Sequence, residues 1–557
     1  MLSISSRPRT RSSPSTTFDT QSAEPPADMS HNSSGLTPVI ALAGLAGGAA
    51  IYHLFKDKHA IIKTTQSNGR DAFISPIRAA GFQIRPGQQG ARVSDHLLLS
   101  DQAIEDKLHQ AERTRQHDRP GNPLTRIESN VVAGNENCED VHMVDIVSLE
   151  ELQDDMRREK GGFWEKWFTI RAKGEAGKGK ISEILDGKEY NDDLVLASVV
   201  DGHGGIATAE LLRRTLHPSI AHGLAKLSSA AVGIFTADFI QRISETFVAL
   251  DDSIINAPIQ LFKGVISSSE SSPVLPSLNP ALLQLTGTIN SGAAAVTAIL
   301  DVKTDHLHVA NAGDCRAVAG WYNHYTGEWR CDPLSDDLTS ENPAEADMIR
   351  SKHPESERHK VIFNKGNGDR VLGGKDVARC FGDAHYKISV EDQNLVGDAL
   401  GARCAITRMP EHPSLTPPYS EGRPEISTRK VHPVPASGEQ LRFVILASDG
   451  LWDRLSSEEA TLLAAAYLEH PSHADIPKAL LPQQFPLAAV SEPRPYPAQE
   501  MPGQGSRSRG GWVFEGDKTI ATHLIRNMFG DDRELRKRVF SASGGNARNM
   551  RDDVTVV

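Results

Sequence analysis

The sequence is poor in cysteine, and its cysteines are not paired. There are five, an odd number, and no two of them are separated by just two residues. They are Cys138, Cys315, Cys331, Cys380 and Cys404. This scatter disfavours a disulfide framework and a zinc site made of thiolates. We therefore expect a reducing compartment, or one in which disulfides are not used.

Positive charge is also in deficit. The chain has 60 Lys and Arg against 72 Asp and Glu, a net charge of −12, with the two signs interspersed. Because nucleic-acid binding needs a basic footprint, we expect no nucleic-acid partner. The hydrophobic share of 39% is low for a globular protein. The polar residues are concentrated near the amino terminus and in insertions, so the remainder can still bury a core.

The amino-terminal segment resembles a targeting sequence. Residues 1–17 contain Arg7, Arg9 and Arg11, six serines and no acidic residue. That composition is typical of a mitochondrial presequence. We predict a presequence-like disordered segment over residues 1–35. The alternative is an ordinary disordered basic tail.

A membrane anchor is predicted next. The 20 residues from Leu36 to Phe55 carry no charge, and this length is just sufficient to cross a bilayer as a helix. A buried soluble helix and the core of a signal peptide are the alternatives. Residues 56–120 are interpreted as a tether with an amphipathic stretch near Asp101–Arg115, whose charges we expect to face solvent. The folded domain is predicted over residues 121–557.

Acidic residues stand where apolar runs begin or end. Asp201 and Asp449 follow the apolar runs 194–200 and 443–447, and Asp140 and Asp552 precede two others. In antiparallel sheets the end of one strand lies beside the start of its neighbour, so these carboxylates should gather at one sheet edge. Clustered carboxylates repel one another unless cations neutralise them, and Mg²⁺ and Mn²⁺ prefer oxygen ligands. The sequence therefore predicts a divalent-metal site.

Strand-like and helix-like runs occur in groups, which favours an α+β layered fold over strict alternation. Predicted strands are 294–302, 306–310 and 316–322, the last two joined as a hairpin through Gly313. Predicted helices are 207–224, 238–254, 343–352, 457–467 and 518–529. Ser456 and Glu459 form a capping-box pattern before the fourth helix. Residues 388–440 and 472–511 are proline-rich and are interpreted as insertions.

The motifs, taken together and in order, resemble the metal-dependent type 2C serine/threonine protein phosphatases. The most specific are Asp-Gly-His-Gly-Gly at 201–205 and Asp-Gly-Leu-Trp-Asp at 449–453. The likeness extends over residues 125–557. A narrower resemblance is to the mitochondrial pyruvate dehydrogenase phosphatases. It rests on Thr416-Pro-Pro-Tyr419, on His353-Pro354 and on the Arg-Asp-Asp motif at 551–553.

The resemblance implies a four-layer α-β-β-α sandwich of two antiparallel sheets flanked by helices, with a binuclear metal cleft at one edge. The cleft would hold two Mg²⁺ or Mn²⁺ ions and a weaker third. The implied metal ligands are Glu139, Asp140, Asp201, Gly202 through its carbonyl, Asp314, Asp449, Asp453 and Asp552. Asp201 would bridge the two ions, and His203 would be the general acid. Asn135 stands where much of the family has a phosphate-binding arginine, and Asp383 is interpreted as structural.

The implied reaction is hydrolysis of phosphoserine and phosphothreonine in phosphoproteins by a metal-activated water. The subgroup suggests mitochondrial substrates such as phosphorylated pyruvate dehydrogenase, whose complex would then be a partner. One alternative is the same chemistry on non-matrix substrates of the intermembrane space or cytosol. Another is a membrane-tethered pseudophosphatase that only binds. We expect a mitochondrial, membrane-anchored protein, with matrix and intermembrane space both open.

Overall fold

The computed structural model describes residues 2–4, 98–117, 119–134, 137–157, 192–227, 236–268, 287–364, 366, 368–400, 415–432, 435–470, 474–488, 510–514, 516–542 and 551–557. The predicted membrane span and residues 5–35 lie outside these residues and remain predictions, whereas Leu2–Ile4 form a β-strand instead of the disorder predicted for residues 1–35. Among the described residues, no helix combines the length and the apolar character needed to cross a membrane.

The described residues form strands and helices in groups. The strands are β1 (Leu2–Ile4), β2 (Arg113–Gln116), β3 (Leu124–Val132), β4 (Val141–Ser148), β5 (Asp193–His203), β6 (Gly292–Asp301), β7 (His306–Ala312), β8 (Arg316–Asn323), β9 (Glu328–Pro333), β10 (Ile362–Asn364), β11 (Asp369–Val371), β12 (Phe381–Gly382), β13 (Glu425–Lys430), β14 (Glu439–Ala447), β15 (Ile476–Pro477), β16 (Gly511–Trp512) and β17 (Val554–Val556). The helices are α1 (Asp101–His109), α2 (Leu149–Arg157), α3 (Ala207–Ala225), α4 (Thr236–Ser268), α5 (Pro343–Ser351), α6 (Glu355–Val361), α7 (Val390–Leu400), α8 (Asp449–Trp452), α9 (Ser457–Glu469), α10 (Leu481–Gln484), α11 (Ile520–Asn527) and α12 (Arg533–Ser541).

Two antiparallel sheets form the centre of the fold. Sheet I has the order β1-β3-β17-β14-β8-β9, with β2 beside β3 and an additional pairing of β1 with β14. Sheet II has the order β13-β7-β6-β5-β4, with β12 beside β6. Helices α3 and α4 pack on sheet II, and α9, α11 and α12 pack on sheet I. The predicted α+β architecture of two antiparallel sheets flanked by helices is confirmed.

Alternation along β5 explains why its apolar run is continuous. Leu196 and Val200 face the helices α3 and α4, whereas Val195 and Val199 face sheet I, and all four are buried. Successive side chains of a strand point to opposite faces, so a strand covered on both faces needs apolar residues at every position. The run ends at Asp201 because the strand there reaches the edge of the core.

The segment 98–117, which the sequence placed in the tether, packs against the folded body. Leu108 of α1 is fully buried in the core on sheet I. Arg526 of α11 forms two hydrogen bonds to Glu105, at 2.7 and 2.6 Å, and also contacts Asp517. We call Glu105, Asp517 and Arg526 the Arg526 clamp. The body therefore includes residues 98–117 except for the solvent-facing strand β2 side chains, and Glu105 is not simply a solvated charge.

The hairpin predicted between β7 and β8 is wrong, because the two strands belong to different sheets. Strand β7 pairs with β6 and β13, and β8 pairs with β14 and β9. Gly313 carries the chain across with a φ of 142°, and a Cβ atom there would lie 2.2 Å from Ala294 Cβ. Both strands are buried on both faces, so neither has the polar alternation that would have revealed its partner.

The remaining local predictions are largely confirmed. The capping box of α9 is present, with both the Ser456 and the Glu459 side-chain hydrogen bonds formed. The predicted insertion 388–440 contains α7 and the edge strand β13, so it is more regular than expected. Residues 401–414 and 489–509, within the two predicted insertions, lie outside the described residues.

Candidate metal centre and active site

Strand pairing in sheet II places Asp140 beside Asp201. Val141 opens β4 opposite Val200 of β5, so the residues flanking this pair, Asp140 and Asp201, are neighbours at the sheet edge. Gly202 permits this close approach, because a Cβ atom there would lie 2.6 Å from the Glu139 carbonyl oxygen. Asp140 Oδ2 accepts a hydrogen bond of 2.7 Å from the Ser448 hydroxyl of the other sheet.

Sheet I contributes Asp449 and Asp552 to the same edge. Ala447, two residues before Asp449, pairs with Val556. Gly450 lies so close to the adjoining segment that a Cβ atom would be 2.2 Å from the Asp553 carbonyl oxygen. Asp553 itself accepts backbone hydrogen bonds from Gly134 and Glu139, at 2.6 and 2.7 Å. The sequence assigned Asp553 no role, but it holds the loop that carries Glu139 against β17.

Asp314 reaches the site from the crossing between the sheets, directly after Gly313. Asp453 follows α8 and is exposed at the rim. We call Asp140, Asp201, Asp314, Asp449 and Asp552 the carboxylate edge. Asn135, the predicted phosphate contact, lies outside the described residues, so its role remains a prediction.

The carboxylate edge is electrostatically uncompensated. Burial, and then the charges of Asp140, Asp449 and Asp314, raise the pKa of Asp201 well above its usual range. Burial and nearby carboxylates raise the pKa values of Asp140 and Asp314 to about 7. In the part of the chain that the structure describes, no lysine or arginine forms an ion pair with any of these five carboxylates. Such an arrangement requires either protonation or bound cations.

The donor set fits a hard divalent cation. Asp449 contacts the Asp201 carboxyl group, and its buried Oδ1 accepts no hydrogen bond from any described residue. Carboxylate oxygens together with a backbone carbonyl are the ligands that Mg²⁺ and Mn²⁺ prefer. The residues present are therefore suited to such ions.

His203 lies beside the carboxylate edge and is held from behind. Its Nε2 is 2.9 Å from Asp383 Oδ2, and the Lys375 ammonium is 2.6 Å from the same oxygen. Gly292 leaves room for this contact, since a Cβ atom there would lie 2.3 Å from His203 Nε2. Burial alone would lower the pKa of His203, but the Asp383 carboxylate raises it well above the ordinary value.

Asp383 is the contact that sequence reasoning missed. It was interpreted as structural, yet its side chain touches His203 across 180 positions of sequence. Gly292 of β6 pairs with Gly382 of β12 on one side and with His203 of β5 on the other. No pattern within either motif reveals this pairing, so only the fold could show it.

Ser198, His217 and Asp145 also form a hydrogen-bonded series, but Ser198 and His217 are fully buried. Ser198 Oγ is 2.8 Å from His217 Nε2, and His217 Nδ1 is 2.7 Å from Asp145 Oδ2. Ser198 and His217 have no exposed surface, and Ser198 also contacts the Thr297 hydroxyl. A nucleophile must reach its substrate, so this group is a polar connection between sheet II and α3.

Comparison with known proteins agrees with this geometry. A model of the protein phosphatase 2C family matches residues 176–481. The chain belongs to this family, whose members are metal-dependent protein serine/threonine phosphatases. The match includes Asp201, His203, Asp314, Asp383, Asp449 and Asp453 within its bounds.

Two similar proteins are both named as mitochondrial pyruvate dehydrogenase phosphatases. The mitochondrial pyruvate dehydrogenase (acetyl-transferring) phosphatase 1 of Saccharomyces cerevisiae is 28% identical over 507 residues, covering 88% of this chain and 78% of that protein. The human mitochondrial phosphatase 2 of the same description is 35% identical over 275 residues, covering 48% and 47%. A solved structure of serine-threonine phosphatase 2C from Toxoplasma gondii aligns with a TM-score of 0.36 at 15% identity, covering 80% of this chain and 98% of that one.

Proposed function

We propose that this phosphatase acts in mitochondria on phosphorylated pyruvate dehydrogenase, using two Mg²⁺ or Mn²⁺ ions at the carboxylate edge. The observation that carries the chemistry is the gathering of five carboxylates without a described cationic partner. The substrate and the compartment are supported by the yeast relative, which matches 88% of the chain.

In this proposal the residues of the site have different roles. Asp201, with the Gly202 carbonyl, would lie between the two ions, Asp449 and Asp552 would hold one of them, and Glu139 and Asp140 would lie near the other. Asp314 and Asp453, at the rim, suit a weaker third ion. When bound, the ions would neutralise the phosphate dianion and lower the pKa of an attacking water. The chain itself supplies a rigid frame, because each acid is fixed at a strand end or turn.

His203 is the proposed general acid for the departing serine or threonine oxygen. An alkoxide is a poor leaving group, so a proton donated as the bond breaks contributes substantially to the rate. Asp383 Oδ2 supports the protonated ring at 2.9 Å, and Lys375 fixes that carboxylate at 2.6 Å. Asn135 would give the phosphate a neutral amide contact, so phosphate binding would depend more on the ions.

The test is phosphate release by the full chain from phosphorylated pyruvate dehydrogenase, with an unrelated phosphothreonine protein as control. We expect turnover with Mn²⁺ or Mg²⁺, none with EDTA, and a preference for the dehydrogenase in kcat/KM. Equal kcat/KM values on the two substrates would contradict pyruvate dehydrogenase as the preferred substrate, but the chain would still be a phosphatase. A folded chain that binds ions but does not turn over would support the tethered pseudophosphatase instead.

Membrane anchoring through residues 36–55 is part of the proposal, and its topology decides the available substrates. Protease protection of the full chain in isolated mitochondria distinguishes the compartments. A catalytic domain protected until the inner membrane is broken is expected for a matrix substrate. Digestion after rupture of the outer membrane alone would favour substrates of the intermembrane space.

A further inference from the structure

A second group of potential metal ligands lies behind the active site. Donor atoms of His203, Cys380 and Asp383 all lie within 4.8 Å of one another, which no other three His, Cys, Asp or Glu side chains among the described residues achieve. Asp383 Oδ2 is 2.9 Å from His203 Nε2 and 3.3 Å from Cys380 Sγ. Imidazole, thiolate and carboxylate are the ligands of zinc sites. The carboxylate edge, in contrast, contains only oxygen donors.

The spacing suits tetrahedral coordination. Zinc binds nitrogen and oxygen at about 2.0–2.2 Å and sulfur at about 2.3 Å. At a tetrahedral angle these lengths place nitrogen and oxygen about 3.3 Å apart, and sulfur and oxygen about 3.5 Å apart. The corresponding distances here are 2.9 and 3.3 Å. Outward movements of a few tenths of an ångström would therefore admit the ion.

The pocket already stabilises a positive charge. The Lys375 ammonium is 2.6 Å from Asp383 Oδ2, 3.0 Å from Cys380 Sγ and 3.1 Å from the Ser420 hydroxyl. It also lies 4.6 Å from the centre of the Tyr386 ring. A metal ion would compete with this ammonium for the same electron pairs. Lys375 would have to leave this position for the ion to bind, so it would limit the affinity of the site.

The site is accessible from the active-site side. Cys380 is fully buried and Asp383 nearly so, whereas the His203 side chain is 28% exposed. An ion would thus enter past His203 and bind its Nε2. A ring with an ion on Nε2 cannot carry the second proton that the general acid of the proposed function would donate.

We propose that His203, Cys380 and Asp383 form an inhibitory site for a thiophilic divalent ion such as Zn²⁺, separate from the catalytic ions. On binding, Cys380 releases its thiol proton and His203 releases its Nε2 proton to solvent, and the ion gains bonds to sulfur, nitrogen and oxygen without any change of oxidation state. The binding of the ion by these three residues does not depend on the proposed function. The inhibition rests on the proposed function, because it requires His203 to act as the proton donor.

Binding is tested with Cd²⁺ added to the metal-depleted full chain, following the ultraviolet thiolate-to-metal charge-transfer absorption. We expect the band in the unmodified protein and in Asp449→Asn, and its loss in Cys380→Ala. Cys315→Ala is the matched control, because Cys315 is also buried and lies next to Asp314. Loss of the band in Cys315→Ala but not in Cys380→Ala would overturn the site, as would absence of the band in the folded protein.

Lys375→Met sharpens the binding test. Removing the competing ammonium should tighten Cd²⁺ binding by at least about tenfold, the size of effect seen when groups around a metal site are changed. Unchanged or weaker binding would contradict the competition. Circular dichroism of each variant shows whether it has folded, so a loss of binding is not mistaken for unfolding.

Inhibition is measured as the Zn²⁺ concentration that halves phosphatase activity in excess Mn²⁺, relative to each variant's own rate. Cys380→Ala should need at least about tenfold more Zn²⁺, and Cys315→Ala should not. Equal sensitivity of Cys380→Ala and the unmodified protein would overturn the inhibitory role. A Cys380-dependent band in a chain without phosphatase activity would refute the proposed function and leave the metal site standing.

Discussion

Two groups of acidic side chains in this fold have opposite surroundings. In the Arg526 clamp, Arg526 lies 2.6 Å from Glu105 and 2.7 Å from Asp517, and its side chain is 3% exposed. Hydrogen bonds from Arg526 hold the pKa of Glu105 below its usual range, despite partial burial. At the carboxylate edge, no described lysine or arginine pairs with the five acids, and their burial raises the pKa values of Asp201 and Asp449. Arg526 shows that this fold can pair buried acids with an internal cation, and the absence of such a pair at the carboxylate edge supports the cation site that we propose there.

The largest expected effect comes from removing one acid of the carboxylate edge. Asp449→Asn should lower kcat by about 10³-fold or more, because metal-ion stabilisation of charge contributes several kcal/mol to catalysis. The measurement is Mn²⁺-dependent phosphate release from a phosphothreonine peptide. Asp517→Asn, the matched change in the clamp, should retain turnover for each folded molecule. Equal losses in both variants would mean that the two clusters do not differ in function.

Removing Arg526 should have the opposite effect, because it should lower the stability of the protein and not the turnover of the folded molecules. Arg526→Met leaves Asp517, whose side chain is fully buried, without its arginine partner, and breaking a buried pair in this way costs about 3–5 kcal/mol of the free energy of unfolding. Urea denaturation measures the loss. The control is Lys303→Met, because Lys303 and Glu150 form an ion pair with side chains 60% and 63% exposed, which should contribute at most about 1 kcal/mol. Similar small losses in both variants would show that the clamp contributes little to stability.

Added Mn²⁺ should stabilise only through the carboxylate edge. At a concentration one hundred times its dissociation constant, an ion that binds the folded state alone stabilises it by about 2.7 kcal/mol. Thermal unfolding with and without Mn²⁺ should show this gain in the unmodified protein and in Arg526→Met. Asp449→Asn should lose most of it. If Mn²⁺ stabilised Asp449→Asn as much as the unmodified protein, the stabilising ion would bind at another site.

The smallest expected effect is a difference in pH dependence. Folding raises the pKa values of Asp140 and Asp314 to about 7, so the folded, metal-free protein binds more protons than the unfolded chain between about pH 4 and 7. Its stability should therefore fall as pH rises through this range. The clamp acids, whose pKa values are lowered, act in the opposite direction below about pH 4. Bound Mn²⁺ should flatten the fall, and an equally steep fall with Mn²⁺ would contradict this account.

The sequence could predict those features that depend on local pattern. Asp201 and Asp449 stand at the ends of apolar runs, and the structure places both at one edge, as expected. The hairpin through Gly313 was wrongly predicted because β7 and β8 are both apolar throughout, and such strands do not reveal which sheet they join. The contacts of Asp383 with His203 and of Asp553 with Glu139 depend on strand pairing across 180 and 414 positions. Local sequence patterns do not show which residues come into contact across such long separations in sequence.

The contact between Glu139 and Asp553 also has a consequence for how the protein is made. A growing chain presents Asp140, Asp201, Asp314 and Asp449 long before residues 551–557 can enter sheet I beside β3 and β14. Until then the loop that carries Glu139 has no Asp553 to hold it, and Asp552 cannot join Asp140 and Asp201, which strand pairing within sheet II places together. The complete carboxylate edge therefore forms only after residues 551–557 have been made.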